Sequence, residues 1–313
     1  MKVEELIRKV QSEKKKSEQE AQSTEGLLRL QETLRNYTGE YQLVWSETLA
    51  EELKTKPRTS GHKIGVERFD EITNGFREQQ LITLSGHSKH GKTASGIYFM
   101  NKMEELNPVL IPLEQSGEEL IQQRLENDHF IPRFLSPRRL ASQVTVDWIE
   151  ERIIEGIAKY NTKFVVIDHL GYIDEDEKHR RENQAYRIEQ TMKGLKNVAK
   201  RWNVVVMVLV HISQHDEGKP PTLQDLKGSS SILQESDMVL MVWRKNDIKD
   251  KIRVYEEKTM FSVLANRFSG KVGNVGMIFD RETGGYKPEY EWVDKLLDKA
   301  NEEITAENAF NGL

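Results

Sequence analysis

The segment between residues 81 and 93 has the residue types and spacing of a phosphate-binding loop. It reads Leu81-Ile-Thr-Leu-Ser-Gly86-His-Ser-Lys-His-Gly91-Lys92-Thr93, which places G-x-x-x-x-G-K-[ST] between an apolar strand and a helix. The glycines allow several backbone N–H groups to surround a phosphate. We expect Lys92 to reach the β- and γ-phosphates of ATP and the Thr93 hydroxyl to coordinate Mg²⁺. The expected nucleotide-binding residues are Gly86, His87, Ser88, Lys89, His90, Gly91, Lys92, Thr93 and Ala94.

Two carboxylates follow apolar strands elsewhere in the chain. Asp168 ends the run Phe164-Val-Val-Ile-Asp168, which predicts a position at the carboxyl edge of the sheet beside the phosphate loop. Its carboxylate would hold Mg²⁺, mostly through water, and the alternative is a strand-terminal aspartate that caps the next turn. Glu114 follows the run Val109–Leu113 and could orient and deprotonate the attacking water. A surface glutamate at a strand end is the alternative for Glu114.

Apolar runs of strand length alternate with helical patterns from Lys63 onward. The expected strands are 81–84, 109–113, 164–167, 204–210, 238–242, 261–264 and 275–279, and the expected helices are 93–106, 117–127, 145–159 and 182–201. Continuous apolar strands separated by helices predict an α/β fold with a mostly parallel central sheet flanked by helices. The last strands follow one another through short links, which favours antiparallel pairing. We expect three regions: a helical N-terminal region with a linker helix (1–60), the core (61–290) and a C-terminal helical tail (291–313).

The overall composition limits the possible classes of protein. The chain has 313 residues, 31% of them charged, a net charge of −5 and no cysteine, which excludes disulfides and thiolate metal sites. No stretch approaches the roughly 20 apolar residues of a membrane span, and the N-terminus is too charged for a signal peptide. An intracellular protein with no membrane contact is therefore expected. Because the chain is acidic, any nucleic-acid contact must be local, made by a few loops.

Residues 1–60 differ from the rest of the chain. They are rich in Glu, Lys, Gln and Ser with sparse leucines, which predicts two or three helices. Within Ser46–Lys54, Leu49 and Leu53 are four residues apart and follow Trp45. This spacing predicts a short amphipathic helix that packs on its own domain or docks on a neighbouring subunit.

Several further segments resemble the motor domain of DnaB-type replicative helicases, a RecA-like P-loop ATPase domain. The segments around Glu114 and Asp168 are similar to that family's catalytic-glutamate and Walker B strands. Val208-Leu-Val-His-Ile-Ser213-Gln214 is similar to its strand ending in Ser-Gln. Residues 223–237 (LQDLKGSSSILQESD) resemble its motif D-L-R-G-S-G-A-I-E-Q-D-A-D, and Leu264-Ala-Asn-Arg267-Phe-Ser-Gly270 resembles its K-x-R-x-G strand end. The resemblance runs from about residue 59 to residue 288, and 223–237 is its most specific part.

The resemblance implies roles for residues that the chain alone does not define. Gln214 would sense the γ-phosphate, and Arg267 would act as an arginine finger in the ATP site of a neighbouring subunit. Lys219, Lys227, Gly228 and Ser229 would contact nucleic acid. The alternatives are ordinary loop residues for 214–226 and a surface arginine for Arg267.

The chain also departs from the family pattern. Ala265 stands where the family has a lysine two residues before the finger arginine, which weakens activation from the neighbour or moves the charge, for example to Lys271. Residues 1–60 are too short for the family's primase-binding N-terminal domain, so we expect that domain to be absent. A compact helicase of a phage or mobile element fits this pattern, and so does a related ATPase that does not unwind DNA.

Two classes of function therefore remain. The first is an ATP-dependent helicase or translocase that forms a ring, expected to be a hexamer, around single-stranded DNA during replication. Its partners would include primase, polymerase or a loader, in the cytoplasm of a bacterium or of a phage-infected host. The alternative is a non-unwinding RecA/KaiC-like ATPase that serves as a loader, recombination mediator or regulatory switch. A structural adaptor with a decayed site is disfavoured by the intact Lys92, Asp168 and Glu114.

Overall fold

A computed structural model describes residues 35, 38, 42–55, 61–173, 183–212, 217–226, 229–249 and 252–299. The chain divides into two compact units, 1–59 and 60–313. Among the described residues, no helix is long and apolar enough to span a membrane.

The described part of the first unit is dominated by one short helix, α1 (Ser46–Thr55). Glu47 lies in its first turn and Lys54 in its last, which suits the helix dipole at both ends. The apolar side chains of Trp45, Leu49 and Leu53 are all exposed. The predicted amphipathic helix is confirmed, and the other helices predicted before residue 42 fall on residues that lie almost entirely outside the described ranges.

An eight-stranded sheet forms the centre of the second unit. Its strands are β1 (Leu81–Gly86), β2 (Val109–Pro112), β3 (Phe164–Asp168), β4 (Val205–His211), β5 (Met238–Lys249), β6 (Ile252–Asn266), β7 (Gly273–Asp280) and β8 (Gly285–Pro288). They lie in the order β2-β3-β4-β1-β5-β6-β7-β8. The pairs from β2 to β5 are parallel, and β5 to β8 pair antiparallel. The predicted α/β fold with a mostly parallel sheet and antiparallel last strands is confirmed.

Helices cover both faces of this sheet. They are α2 (Glu67–Thr73), α3 (Lys92–Lys102), α4 (Gly117–Glu126), α5 (Val146–Tyr160), α6 (Gln184–Trp202), α7 (Ser229–Glu235) and α8, which spans 291–299. Local chemistry sets the ends of the long helices. The side chains of Thr145 and Asn183 accept backbone N–H groups at the starts of α5 and α6. Both helices stop at asparagines in the left-handed conformation, Asn161 and Asn203.

Two large apolar clusters pack on opposite faces of the sheet. One contains the rings of Phe69, Phe76, Phe99 and Phe261. The other joins α5 and α6 to alternate residues of β3 and β4. Every residue of β3, and all of β4 except His211, is buried, which explains why these strands read as unbroken apolar runs.

The β5–β6 hairpin is longer than the sequence indicates. Apolar patterning predicts strands over 238–242 and 261–264, whereas β5 has 12 residues and β6 has 15. The outer part of the hairpin is mostly exposed or half-buried and contains charged residues, so its sequence lacks the apolar run of a core strand. The helices α2 and α7 and the strand β8 are also absent from the sequence prediction because each is only four to seven residues long.

Candidate nucleotide site

The loop between β1 and α3 is closed around the side chain of Lys92. The Lys92 ammonium donates hydrogen bonds to the carbonyl oxygens of Gly86 (3.0 Å) and His87 (2.8 Å). Burial lowers the pKa of Lys92 to about 8, against the opposing attraction of Asp168 and Glu114. Gly91 has φ 93°, and a Cβ there would meet the Tyr286 hydroxyl at 2.7 Å. The loop therefore requires glycine at this position, as the motif indicates.

Thr93 and Asp168 are joined directly across the site. The Thr93 hydroxyl donates a 2.6 Å hydrogen bond to Oδ2 of Asp168. Asp168 ends β3 and is buried, and its Oδ1 has no hydrogen-bond partner among the described residues. Burial is the largest influence on the Asp168 carboxyl and raises its pKa, while the bond from Thr93 lowers it. A hydroxyl beside a buried carboxylate with an unpartnered oxygen is the oxygen-rich donor set that Mg²⁺ prefers.

Glu114 reaches the same sheet edge from β2. The backbone N–H groups of Leu113 (2.6 Å) and Glu114 (3.0 Å) both donate to the Asp168 carbonyl, which extends the β2–β3 pairing past the end of β2. Pro112 pairs with Asp168, and Gly86 pairs with His211. The carboxyl ends of β1, β2, β3 and β4 therefore bring the predicted phosphate, metal and base residues together.

Two histidines that the sequence analysis did not single out flank Glu114. His169 Nε2 lies 3.7 Å and His211 Nε2 lies 3.8 Å from Oε2 of Glu114. The imidazole rings meet edge to face with centroids 4.2 Å apart. Burial lowers the pKa of His169, with Glu114 opposing and Lys92 reinforcing the shift. His169 directly follows Asp168, and His211 ends β4. Because the carboxyl ends of parallel strands meet at one edge of the sheet, the sequence could have predicted that both histidines lie near Asp168.

His90 fixes the far side of the phosphate loop. Its Nδ1 accepts a 3.0 Å hydrogen bond from the backbone N–H of Arg244 on β5. The ring lies 5.2 Å from that of His87 and 5.3 Å from that of Tyr255. Burial is the main reason that the pKa of His90 falls to about 3, so the ring is neutral at physiological pH.

A cavity of about 460 Å³ opens from the phosphate loop toward α4 and the β7–β8 turn. Ala94, Ile97, Leu120 and Phe279 provide apolar lining. The buried Arg124 is held by the carbonyl oxygens of Phe130 (2.8 Å) and Gly284 (3.4 Å). This volume and mixed lining suit a nucleoside attached to the phosphates in the loop.

Arg267 lies at the amino end of the parallel strands, opposite the end that carries the phosphate loop. Its backbone N–H donates a hydrogen bond to the Asp237 carbonyl, and the backbone N–H of Asp237 donates one to the Leu81 carbonyl. Arg267 is therefore level with the start of β1, whereas Gly86 ends that strand, roughly 17 Å further along. The Arg267 guanidinium is exposed and contacts the carbonyl oxygens of Leu233 and Gln234. The structure does not bring Arg267 to the chain's own phosphate loop.

The remaining predicted residues follow β4. Gln214, Lys227 and Gly228 lie outside the described residues, Ser229 begins α7, and Lys219 is exposed. Between them, Glu217 is bonded to the β5–β6 hairpin. Its carbonyl accepts from Trp243 Nε1 (3.0 Å) and Asn246 Nδ2 (2.7 Å), and its carboxylate pairs with Arg253 (3.1 Å).

A mostly parallel sheet with a phosphate loop after β1 and an aspartate at the end of β3 has the arrangement of a RecA-like P-loop fold. Residues 139–287 match the family described as the DnaB-like helicase C terminal domain. This part of the chain is thus similar to the C-terminal domain of DnaB-like helicases, as the resemblance implies.

Known proteins support this assignment at low sequence identity. A probable replicative DNA helicase of Trieres chinensis is 26% identical over 264 residues, covering 72% of this chain and 57% of that protein. The replicative DNA helicase DnaB of Mycoplasma pneumoniae is 26% identical over 292 residues, covering 78% of this chain and 62% of that protein. The chain therefore spans about 60% of the length of these relatives.

Solved structures share the fold. A DnaB-like replicative helicase, solved in a study of its interactions with primase, aligns with a TM-score of 0.64 and 20% identity. The alignment covers 90% of this chain and 75% of that one. A solved ATPase domain also aligns with a TM-score of 0.64, covering 78% of this chain and 96% of that domain.

Proposed function

We propose that this chain is the ATPase motor of a ring-forming DnaB-type helicase that moves along single-stranded DNA. Residues 86–94 bind the phosphates of ATP, and the cavity beyond Ala94 holds the nucleoside. Thr93 and Asp168 hold Mg²⁺, which supplies positive charge at the β- and γ-phosphates when bound. Oδ1 of Asp168 is buried and has no hydrogen-bond partner within the described part of the chain, which supports this assignment because a metal or its water would satisfy it.

Glu114 activates the attacking water in this proposal. It lies beside Asp168 and is half exposed, so its carboxylate can turn toward a water at the γ-phosphate. Lys92 exchanges its bonds to the Gly86 and His87 carbonyls for phosphate oxygens. A charged phosphate partner replaces neutral carbonyls and favours the protonated ammonium that burial disfavours.

The observation that carries the ring assembly is the separation of Arg267 from its own phosphate loop. A guanidinium that stabilises the charge of phosphoryl transfer must touch the transferring phosphate. Arg267 is exposed at the opposite sheet edge, roughly 17 Å away along β1. We therefore assign it to the site of a neighbouring copy, with a hexamer as the expected ring. The exposed apolar face of α1 is a surface that such a neighbour could cover.

We assign DNA contact to the segment after β4 and to the start of α7. Lys219, Lys227, Gly228 and Ser229 would face the central channel, with Gln214 reporting the γ-phosphate. A ring repeats each of these contacts, so a chain with net charge −5 can still concentrate cations around one strand. Primase is a candidate partner because the DnaB-like helicase that shares this fold interacts with it. We place this activity in the cytoplasm, where ATP and replicating DNA are available in bacteria.

The alternative is a RecA/KaiC-like ATPase that uses ATP to assemble but does not unwind DNA. The charge of the described part of the loop favours it: Lys219 is the sole cation within 217–226 and lies near the acidic Glu217 and Asp225. The two functions differ in whether single strands accelerate ATP hydrolysis and whether forks are opened.

The test compares the wild-type chain with Lys219→Ala and Lys92→Ala on a forked DNA. The control is Lys200→Ala, which alters another exposed lysine, in the last turn of α6. The helicase predicts hydrolysis that single strands stimulate, opening of the fork, weaker stimulation in Lys219→Ala than in the control, and no turnover in Lys92→Ala. ATP turnover that single strands leave unchanged, together with an intact fork, would refute the helicase and support the alternative.

A further inference from the structure

The two imidazoles around Glu114 form a cluster to which neither the sequence motif nor the proposed function gives a role. His169 Nε2 and His211 Nε2 both approach the same carboxylate oxygen, Oε2, at 3.7 and 3.8 Å. The ligand atoms of the three residues lie within 4.8 Å of one another, a spacing compatible with a bound metal ion. The cluster could therefore bind a metal, or it could hold the carboxylate through an imidazole N–H.

The hydrogen bonding of His169 decides between these two uses. Its Nδ1 accepts a 3.0 Å hydrogen bond from the backbone N–H of Gly171. Nδ1 must then carry a lone pair, so in the neutral ring the proton is on Nε2. A metal at Nε2 needs a lone pair on Nε2. The proton would then be on Nδ1, where it would face the Gly171 N–H. The geometry thus presents an N–H, and not a metal ligand, to Glu114.

We propose that His169 is a positioning residue that holds Oε2 of Glu114 and thereby aims the other carboxylate oxygen at the attacking water. The inference rests on the proposed ATP hydrolysis. The present 3.7 Å separation lies beyond hydrogen-bond length, and catalytic contacts of this kind commonly tighten when substrate binds. Glu114 is half exposed and can close the gap by a small rotation, whereas the largely buried His169 is fixed by the Gly171 bond and by the His211 ring.

Two substitutions separate this role from a merely structural one. His169→Gln keeps an N–H donor at the ε position but loses the acceptor for Gly171. His169→Asn keeps an acceptor at the δ position but has no donor that reaches Glu114. A positioning role predicts that His169→Gln preserves turnover and His169→Asn does not. A structural capping role, in which the bond from Gly171 matters, predicts that His169→Asn preserves turnover and His169→Gln does not.

The experiment measures single-stranded-DNA-stimulated kcat and the Kd of a fluorescent ATP analogue with Mg²⁺ for the full chain. We expect His169→Asn to lower kcat about ten- to a hundredfold, the loss typical of a misplaced catalytic group. We expect His169→Gln to stay within about threefold of wild type, and Kd to stay within about twofold in both variants. In a Glu114→Gln background, His169→Asn should lower the residual rate no further, because the carboxylate it positions is gone.

Several outcomes would overturn the inference. One is turnover in His169→Asn that equals or exceeds turnover in His169→Gln. Another is a fall in kcat on His169→Asn that persists in the Glu114→Gln background. A third is an effect of His169→Asn on nucleotide affinity alone, with kcat unchanged. Tight Zn²⁺ binding to wild type that His169→Asn abolishes would show a lone pair at Nε2 and a metal site instead. A wild-type chain that does not hydrolyse ATP would instead refute the proposed function itself. His62→Gln, which alters a histidine paired with Glu78 ahead of β1, is the matched control.

Discussion

His90 of the phosphate loop is hydrogen-bonded through Nδ1 to the backbone N–H of Arg244, 3.0 Å away on β5. The loop that we assign to the nucleotide is therefore hydrogen-bonded to the β5–β6 hairpin. Tyr255 of β6 packs edge-on against the same imidazole. The hairpin in turn binds Glu217 on the segment after β4. A continuous set of contacts thus joins the phosphate loop to the segment that we assign to DNA.

The buried, neutral His90 predicts a specific loss of stability in acid. Its pKa is about 3 in the folded chain and near 6.5 when exposed, because burial, the neighbouring His87 and the cations Lys92, Arg253 and Arg244 disfavour the charged ring. The unfolded chain then binds the extra proton between pH 6.5 and pH 3. The stability contribution is full above pH 6.5 and decreases as the pH falls toward 3.

His90→Asn tests this prediction because an asparagine oxygen can still accept the Arg244 N–H. We expect the free energy of unfolding, measured by urea titration, to fall less steeply between pH 6.5 and pH 4 in His90→Asn than in wild type. His129→Asn, a change at a more exposed histidine, is the control variant. Parallel pH profiles for His90→Asn and wild type would contradict the assignment.

Glu217→Ala should uncouple DNA binding from ATP hydrolysis. The substitution removes the carboxylate bonds to Arg253 and Tyr255 and leaves the two bonds to the Glu217 carbonyl. These groups are partly exposed, so we expect a small change in stability, below about 1 kcal/mol. We expect single strands to stimulate ATP hydrolysis several-fold less, with the basal rate within about twofold of wild type.

Glu256→Ala is the control for this experiment, since the Glu256 carboxylate pairs with Lys245 inside the same hairpin. Equal losses of stimulation in both variants would indicate a general weakening of the hairpin. Normal stimulation in Glu217→Ala would rule out a role for the Glu217 carboxylate in coupling.

The sequence predicts the local parts of this molecule well and the long-range parts poorly. The phosphate loop and Asp168 are each recognisable because a short motif adjoins a buried strand whose apolar run is unbroken. Tyr286, which closes over Gly91, comes from β8, a four-residue strand with no pattern of its own. The contact of His90 with Arg244 joins residues 154 positions apart, and only the pairing of β1 with β5 brings them together.

Arg267→Ala should reduce the rate of ATP turnover without weakening nucleotide binding. If Arg267 acts on a neighbouring site, we expect kcat to fall about 10²–10³-fold, the usual effect of removing one transition-state donor. The Kd for Mg·ATP should change less than about threefold, since the chain's own loop is untouched. Steady-state ATP hydrolysis and equilibrium nucleotide binding measure the two quantities.

Mixing two inactive variants shows whose site Arg267 serves. Lys92→Ala subunits lack a working loop but retain Arg267, and Arg267→Ala subunits have the reverse defect. Mixed assemblies should recover part of the wild-type rate at interfaces where the intact loop of an Arg267→Ala subunit faces the intact Arg267 of a Lys92→Ala subunit. A mixture that remains as inactive as its components would contradict a finger supplied by the neighbour.

Phe99 tests the packing that supports the loop. The ring lies within 5.6 Å, centroid to centroid, of Phe69, Phe76 and Phe261, and it is almost fully buried on α3. Phe99→Ala should lower the free energy of unfolding by about 3–5 kcal/mol, and Phe99→Leu by clearly less. Phe130→Ala removes a ring that is 54% exposed and should cost below about 1 kcal/mol. Similar urea midpoints for Phe99→Ala and Phe130→Ala would contradict this core.

The most direct test of the central claim is equilibrium binding of ATP to the purified chain with and without Mg²⁺. We predict one nucleotide per chain, affinity that falls when Mg²⁺ is removed or when Asp168→Asn is introduced, and no measurable binding in Lys92→Ala. Wild-type chain that fails to retain Mg·ATP, or Lys92→Ala that binds it as tightly as wild type, would contradict the assignment of residues 86–93 and Asp168 as a nucleotide site.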